Sequence, residues 1–106
     1  MSLERRRAPR YAIVADAEIT EIPSNTKLSA KTSDLSVGGC FVYALSPFPN
    51  GTKVRVKITS NDVSFAAEGD VVFALPHMGM GVAFSTVADD QLAVLKKWFV
   101  GLSPMA

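Results

Sequence analysis

The chain has 106 residues, 48% of them hydrophobic, which is the size of one domain around a single core. Eleven basic residues face ten acidic ones, and the formal charge of +1 excludes a global field for nucleic acid or membrane, so any anion site has to be local. One cysteine excludes an internal disulfide and, with one histidine, leaves too few ligands for the usual zinc sites.

No apolar run approaches the roughly 18 residues of a membrane-spanning helix, and none follows the first arginines as a secretion signal requires. A reducing, cytoplasmic setting is the expectation.

In chain order, Tyr11 to Ile22 reads as a first strand, with Ile13, Ala15, Ala17 and Ile19 on one face at period two. Pro23-Ser24-Asn25 breaks it, and alternation resumes from Leu28 to Thr32. Asp34-Leu35-Ser36-Val37-Gly38-Gly39 reads as a turn, followed by a short strand from Cys40 to Leu45. After the Pro47 to Gly51 connection, Val54, Val56 and Ile58 alternate with Lys53, Arg55 and Lys57 in the cleanest strand of the chain.

Asn61-Asp62 predicts a hairpin turn into Val63 to Ala67. A further strand is expected from Asp70 to Leu75, with Gly69 at a bend or bulge. Pro76 to Gly79 is a loop and Met80 to Phe84 the last strand, so about six short strands predict a mainly β barrel. The tail changes period: Ala88, Leu92, Leu95, Phe99 and Leu102 stack on one face of a helix, with Thr86 as its expected cap. One domain over 1–106 follows, with an arm at 1–10, a barrel at 11–84 and a helix at 87–101.

Two segments carry chemistry. Arg5, Arg6, Arg7 and Arg10 fall within six residues, and Pro9 opposes helix there, so an extended or looped arm is expected. A guanidinium fork matches phosphate oxygens and also the acceptor edge of guanine. Read alone, such a cluster equally describes a solvated tail. Asp34 and Ser36 lie two apart and can project from one side of an extended segment, where a carboxylate complements the N–H donors of guanine. Gly39 would supply positive φ and close ligand approach. A plain Asx-type turn accounts for the same residues.

Taken together, Arg5-Arg6-x-x-x-Arg10 followed by Asp34-x-Ser36-x-x-Gly39 resembles the two-part signature of the bacterial PilZ family. Gly81-Val82-Ala83-Phe84 before a terminal helix is similar to the closing strand of these domains. The resemblance implies a six-stranded antiparallel β-barrel with a C-terminal helix that binds the second messenger cyclic di-GMP and is not an enzyme. It implies guanine and phosphate contacts from Arg6 and Arg10, a further arginine in Arg5, and a guanine-reading segment at Asp34, Ser36 and Gly39. Arg7 and Gly38 flank these positions and complete the candidate set.

The expected action is ordering of the arm around the ligand, read by a protein effector in trans. The third arginine leads to an expectation of two ligand molecules per chain. A PilZ-like interaction module without nucleotide, or a small nucleic-acid-binding barrel, are the competing readings. The latter lacks a visible aromatic stacking array. His77 is expected in an exposed loop and Cys40 in or beside a strand, with no catalytic or metal role for either. The helical stripe suits closure of the barrel and, alternatively, a homodimer contact.

Overall fold

The computed structural model describes residues 8–105. Its strands are β1 (Asp16–Glu21), β2 (Thr26–Ser36), β3 (Gly39–Tyr43), β4 (Lys53–Ser60), β5 (Val63–Leu75) and β6 (Gly79–Thr86), and one helix follows, α1 (Asp89–Phe99). All pairings are antiparallel and the sheet closes on itself in the order β1-β2-β3-β6-β5-β4. Among the described strands, closure leaves no edge unpaired in the barrel.

Period-two alternation fills the barrel. Val54, Val56 and Ile58 of β4 are wholly buried while Lys53, Arg55 and Lys57 face water. Ile19, Leu35, Val42, Phe65, Val71 and Met80 meet them from the other strands. Asn61 and Asp62 both have positive φ (51° and 65°), the requirement of the tight hairpin turn expected between β4 and β5. His77 also has positive φ (68°), in the exposed loop between β5 and β6.

The 63–67 and 70–75 segments expected as two strands are one 13-residue strand, β5. Gly69 bends it without ending it: the register with β6 shifts between Glu68 and Gly69.

Two further shifts are single-residue bulges. In β2, Thr32 pairs with Val42 but Asp34 with Phe41, so Ser33 is the extra residue. In β5, Val71 pairs with Val82 but Phe73 with Gly81, so Val72 is the extra residue. A bulge reverses the alternation beyond it. Without these two, Asp34, Ser36 and Phe73 would point into the core. Thr32, wholly buried beside the first bulge, is satisfied locally: its Oγ1 accepts from the Ala15 amide at 2.9 Å and donates to the Ile13 carbonyl at 2.6 Å.

The helix lies against β5, where the Gln91 side-chain oxygen accepts from the Ala66 amide at 2.7 Å. Leu95 is wholly buried and joins the barrel core, with Trp98 and Phe99 half-buried around it. Thr86 does not cap this helix, because it still belongs to β6; Ala88 occupies the cap position and contributes no side-chain bond. Asp89 and Asp90 in the first turn and Lys96 and Lys97 in the last complement the helix dipole instead.

Candidate functional site

The arm enters the barrel at Tyr11. Its amide donates to the Leu35 carbonyl at 2.8 Å and its carbonyl accepts from the Leu35 amide at 2.9 Å, so the chain runs antiparallel to the end of β2. The Tyr11 ring stacks on Phe99 of the helix, with centroids 4.2 Å apart, and the Met105 amide donates to the Arg10 carbonyl at 2.7 Å. These contacts fix the backbone from which Arg10 projects.

Arg10 reaches Asp34 through Nε at 2.9 Å and Nη2 at 2.6 Å, both donating to Oδ1. The carboxylate is nearly enclosed, with 6% of its side chain exposed, whereas the Arg10 side chain keeps 56%. The pair therefore holds a cation at the mouth of a groove with its rotamer already chosen. Ser36 is half-buried next to it, its hydroxyl accepting from the Gly38 amide at 3.1 Å. Of the plain-turn reading, this local bond of Ser36 is present, while Asp34 bonds Arg10 rather than its own backbone.

The stretch expected as a turn is mostly strand. Asp34 and Ser36 end β2, only Val37 and Gly38 turn, and Gly39 begins β3. The positive φ expected for Gly39 is not found; the described glycines with positive φ are Gly51 and Gly101. Gly39 is required for a different reason: a Cβ there would run into the Val82 carbonyl of the neighbouring strand.

Strand register lays out the groove. Asp34, Phe41, Gly81 and Phe73 form one row across β2, β3, β6 and β5, and Ser36, Gly39 and Ala83 form the next. Small residues make the floor. Arg10, Asp34 and Ser36 make a polar wall, and Phe41, Val72 and Phe73 an apolar one, around an open volume of about 480 Å³. The rings of Phe41 and Phe73 stack with centroids 5.9 Å apart and an interplanar angle of 23°, and Tyr43 meets Phe41 edge-on.

Among the expected residues, Arg10, Asp34, Ser36, Gly38 and Gly39 come together here; Arg5, Arg6 and Arg7 lie outside the described residues. The apolar wall was missed in the sequence. Its signals are the run Val71-Val72-Phe73, which breaks alternation as a bulge does, and Gly79-Met80-Gly81, which strips the outer face of one strand.

Cys40 backs the groove from inside. Burial first, and the Asp34 carboxylate second, push its thiol from 9.0 up to about 12, so it remains a neutral packing group. Among the described residues no group of three or more His, Cys, Asp or Glu side chains is placed to hold a metal, and no helix is long and apolar enough to cross a membrane.

A larger apolar depression of about 750 Å³ lies between Leu28, Tyr43, Leu45 and Met78. Among the described residues it contains none of the expected site residues and no ion pair, and the described polar groups gather at the first groove.

The family model of the PilZ domain matches residues 4–101. No curated protein sequence matches the chain. Among solved structures, the PilZ domain of YcgR from Escherichia coli with c-di-GMP aligns at a TM-score of 0.74 and 16% identity, covering 92% of this chain and 91% of that one. The PilZ domain of CeSA from a cellulose-synthesising bacterium aligns at 0.66 and 17%, covering 87% and 95%. The inhibitor of motility MotI/DgrA of Bacillus subtilis aligns at 0.70 and 23%, covering 89% of this chain but 49% of that one, so the chain spans about half of that protein. At these identities the likeness establishes the fold.

Proposed function

The chain belongs to the PilZ domain family, and from that membership we propose that it is a bacterial, cytoplasmic receptor for cyclic di-GMP that binds without chemistry and signals through the changed surface of its arm. The observation that carries this reading is the Arg10–Asp34 pair at the mouth of the groove. Both Arg10 donors fall on Oδ1 of Asp34, which leaves Oδ2 to accept from the N–H edge of a guanine. The unused N–H groups of Arg10 suit a phosphate or the guanine acceptor edge. Ser36 adds a donor or acceptor beside them, and the Gly39 backbone allows close approach.

Arg5 and Arg6, with Arg7 beside them, would close over the ligand from the arm. Such closure presents a surface that differs between free and bound states, which a protein effector in trans can select. YcgR was solved with c-di-GMP, which supports the same ligand for this chain.

Calorimetric titration tests the reading. Saturable uptake of cyclic di-GMP at micromolar affinity or tighter, about −8 kcal/mol or more favourable, is expected; absence of heat at high ligand concentration would reject it. We further propose two ligand molecules per chain, the second held partly by Arg5. Arg5→Leu then lowers the measured ratio toward one, whereas a parent ratio of one that Arg5→Leu leaves unchanged rejects the second molecule alone.

A further inference from the structure

We infer that the apolar depression between Leu28, Tyr43, Leu45 and Met78 docks an amphipathic helix of a protein partner, with large apolar side chains on one face and carboxylates beside them. The inference goes beyond the receptor reading and stands whether or not nucleotide is bound.

The side chains are the first ground. Leu45 and Met78 are 76% and 60% exposed, with Tyr43 beside them and Leu75, also exposed, at the base of the Met78 loop. A contiguous set of exposed large apolar residues marks an interaction surface, where a scattered one needs no explanation. These residues sit on a fixed frame. The Ala44 amide donates to the Met78 carbonyl at 3.0 Å and the His77 amide to the Leu45 carbonyl at 2.9 Å, so the two loops are bonded to each other. The shape is made before a partner arrives.

The second ground is what can fill it. β3 is paired on both sides, with β2 and with β6, so an occupant contributes side chains and not an added strand. Leu45 and Met78 stand too far into solvent to enclose a small ligand, which needs most of its surface buried. A second copy of the chain would need about 20–30 residues a side, whereas eight residues line this depression. One helix face, anchored at i, i+3, i+4 and i+7, matches a hollow of about 750 Å³.

The third ground is charge. Neither the 44–52 connection nor the 76–78 loop contains Asp, Glu, Lys or Arg, so the charges at this border come from β2 and β1. Lys31 bonds Asp16, and Glu18, opposite Ser29, has Lys57 on its other side. Lys27, next to Leu28, faces only Thr20 in the register. Among the described residues the border therefore carries one ammonium with no carboxylate opposite it, which favours acidic residues flanking the apolar anchors of a partner.

The test uses the full chain without nucleotide and a synthetic helical peptide of about 18 residues, with leucines at i, i+3, i+4 and i+7 flanked by glutamates. A control peptide carries lysines in place of the glutamates. NMR should show saturable shifts of the Ala44, Leu45, His77 and Met78 amides with the acidic peptide, at a Kd below about 1 mM. The lysine peptide should bind about fivefold more weakly at low salt. Leu45→Ser should weaken binding about tenfold at unchanged melting temperature, because that side chain lies outside the core. Lys27→Glu should reverse the preference between the two peptides.

Shifts that are absent, or that fall elsewhere on the barrel, overturn the inference, as does equal binding of both peptides to the parent and to Lys27→Glu. Sedimentation of the chain alone as a dimer that Leu45→Ser dissociates would assign the depression to a second copy. Co-sedimentation with phosphatidylglycerol vesicles that Leu45→Ser abolishes would assign it to a membrane surface. Either result overturns the helix. A chain that binds the acidic peptide here but takes up no cyclic di-GMP rejects the receptor reading and leaves this inference standing.

Discussion

The outer surface of the barrel has two sides built on opposite rules. Across β2, β1, β4 and the first half of β5, charges alternate in sign: Lys31 bonds Asp16 at 2.7 Å, Lys53 bonds Asp70 at 3.3 Å, and Arg55 stands opposite Glu68. Across β3, β6 and the far half of β5, the same outward positions carry Phe41, Tyr43 and Phe73 over Gly79 and Gly81. The charged side neutralises itself in water and presents no net field to a ligand. Among the described residues the aromatic side carries a single ion pair, at its border, and that pair is half enclosed. Density of charge therefore does not mark the proposed site, whereas enclosure of one charge does.

The largest effect expected from breaking this contrast is at Gly39. Alanine there collides with the Val82 carbonyl, and a backbone atom cannot swing aside as a side chain can. Gly39→Ala should cost about 3 kcal/mol of stability, read as a lowered urea midpoint at unchanged slope. An unchanged midpoint would show that β3 and β6 can separate at the groove floor.

Next comes the border itself. Arg10→Ala should weaken cyclic di-GMP binding by about thirtyfold, or roughly 2 kcal/mol, with Arg6→Ala comparable. Equal affinity of the parent and both variants would reject the arm. Asp34→Ala should lose discrimination between guanine and adenine with a smaller change in salt dependence, checked by comparing cyclic di-GMP with cyclic di-AMP at two ionic strengths.

Below the groove, Cys40 supplies a pH effect. Its folded thiol is raised from 9.0 to about 12 by burial, so folding favours the neutral form. The corresponding stability is complete below the ordinary thiol value and is lost as pH rises from 9 toward 12. Cys40→Ala should flatten that part of the denaturation profile, and a profile of unchanged slope would contradict the assignment.

The smallest effect is expected on the charged side. Lys31→Ala breaks a bond between residues whose side chains are 62% and 74% exposed, so stability should change by less than about 0.5 kcal/mol and ligand affinity by less than twofold. A tenfold loss of affinity would place part of the binding surface on that side.

Sequence reading succeeded where one local rule acts without interference. The β4 alternation, the Asn61-Asp62 hairpin and the Leu92, Leu95 and Phe99 part of the helical stripe each follow from a fixed period or a φ requirement, while Leu102, expected on the same stripe, falls beyond the end of the helix. It failed where one inserted residue reverses a face. Ser33 and Val72 look like noise in an alternating pattern, yet they turn Asp34, Ser36 and Phe73 out of the core. The aromatic wall escaped notice for the same reason, since Phe41 and Phe73 are far apart in sequence and meet only across β6. The positive φ expected of Gly39 is absent, and the strand-to-strand clearance that requires it leaves no trace in a single sequence.

The bond from the Met105 amide to the Arg10 carbonyl makes neighbours of the two ends of the described chain. A segment inserted directly before Arg10 or after Met105 therefore starts beside the rim of the groove. For labelling, the hairpin at Asn61 and Asp62 is the better attachment point, because ten residues of β5 separate Asn61-Asp62 from Phe73 and a dye there reports tumbling without crowding the arm. Conversely, a circular permutant that joins the segment before Arg10 to Met105 through a short linker and opens at that hairpin would set the reach of the arm by the length of the linker.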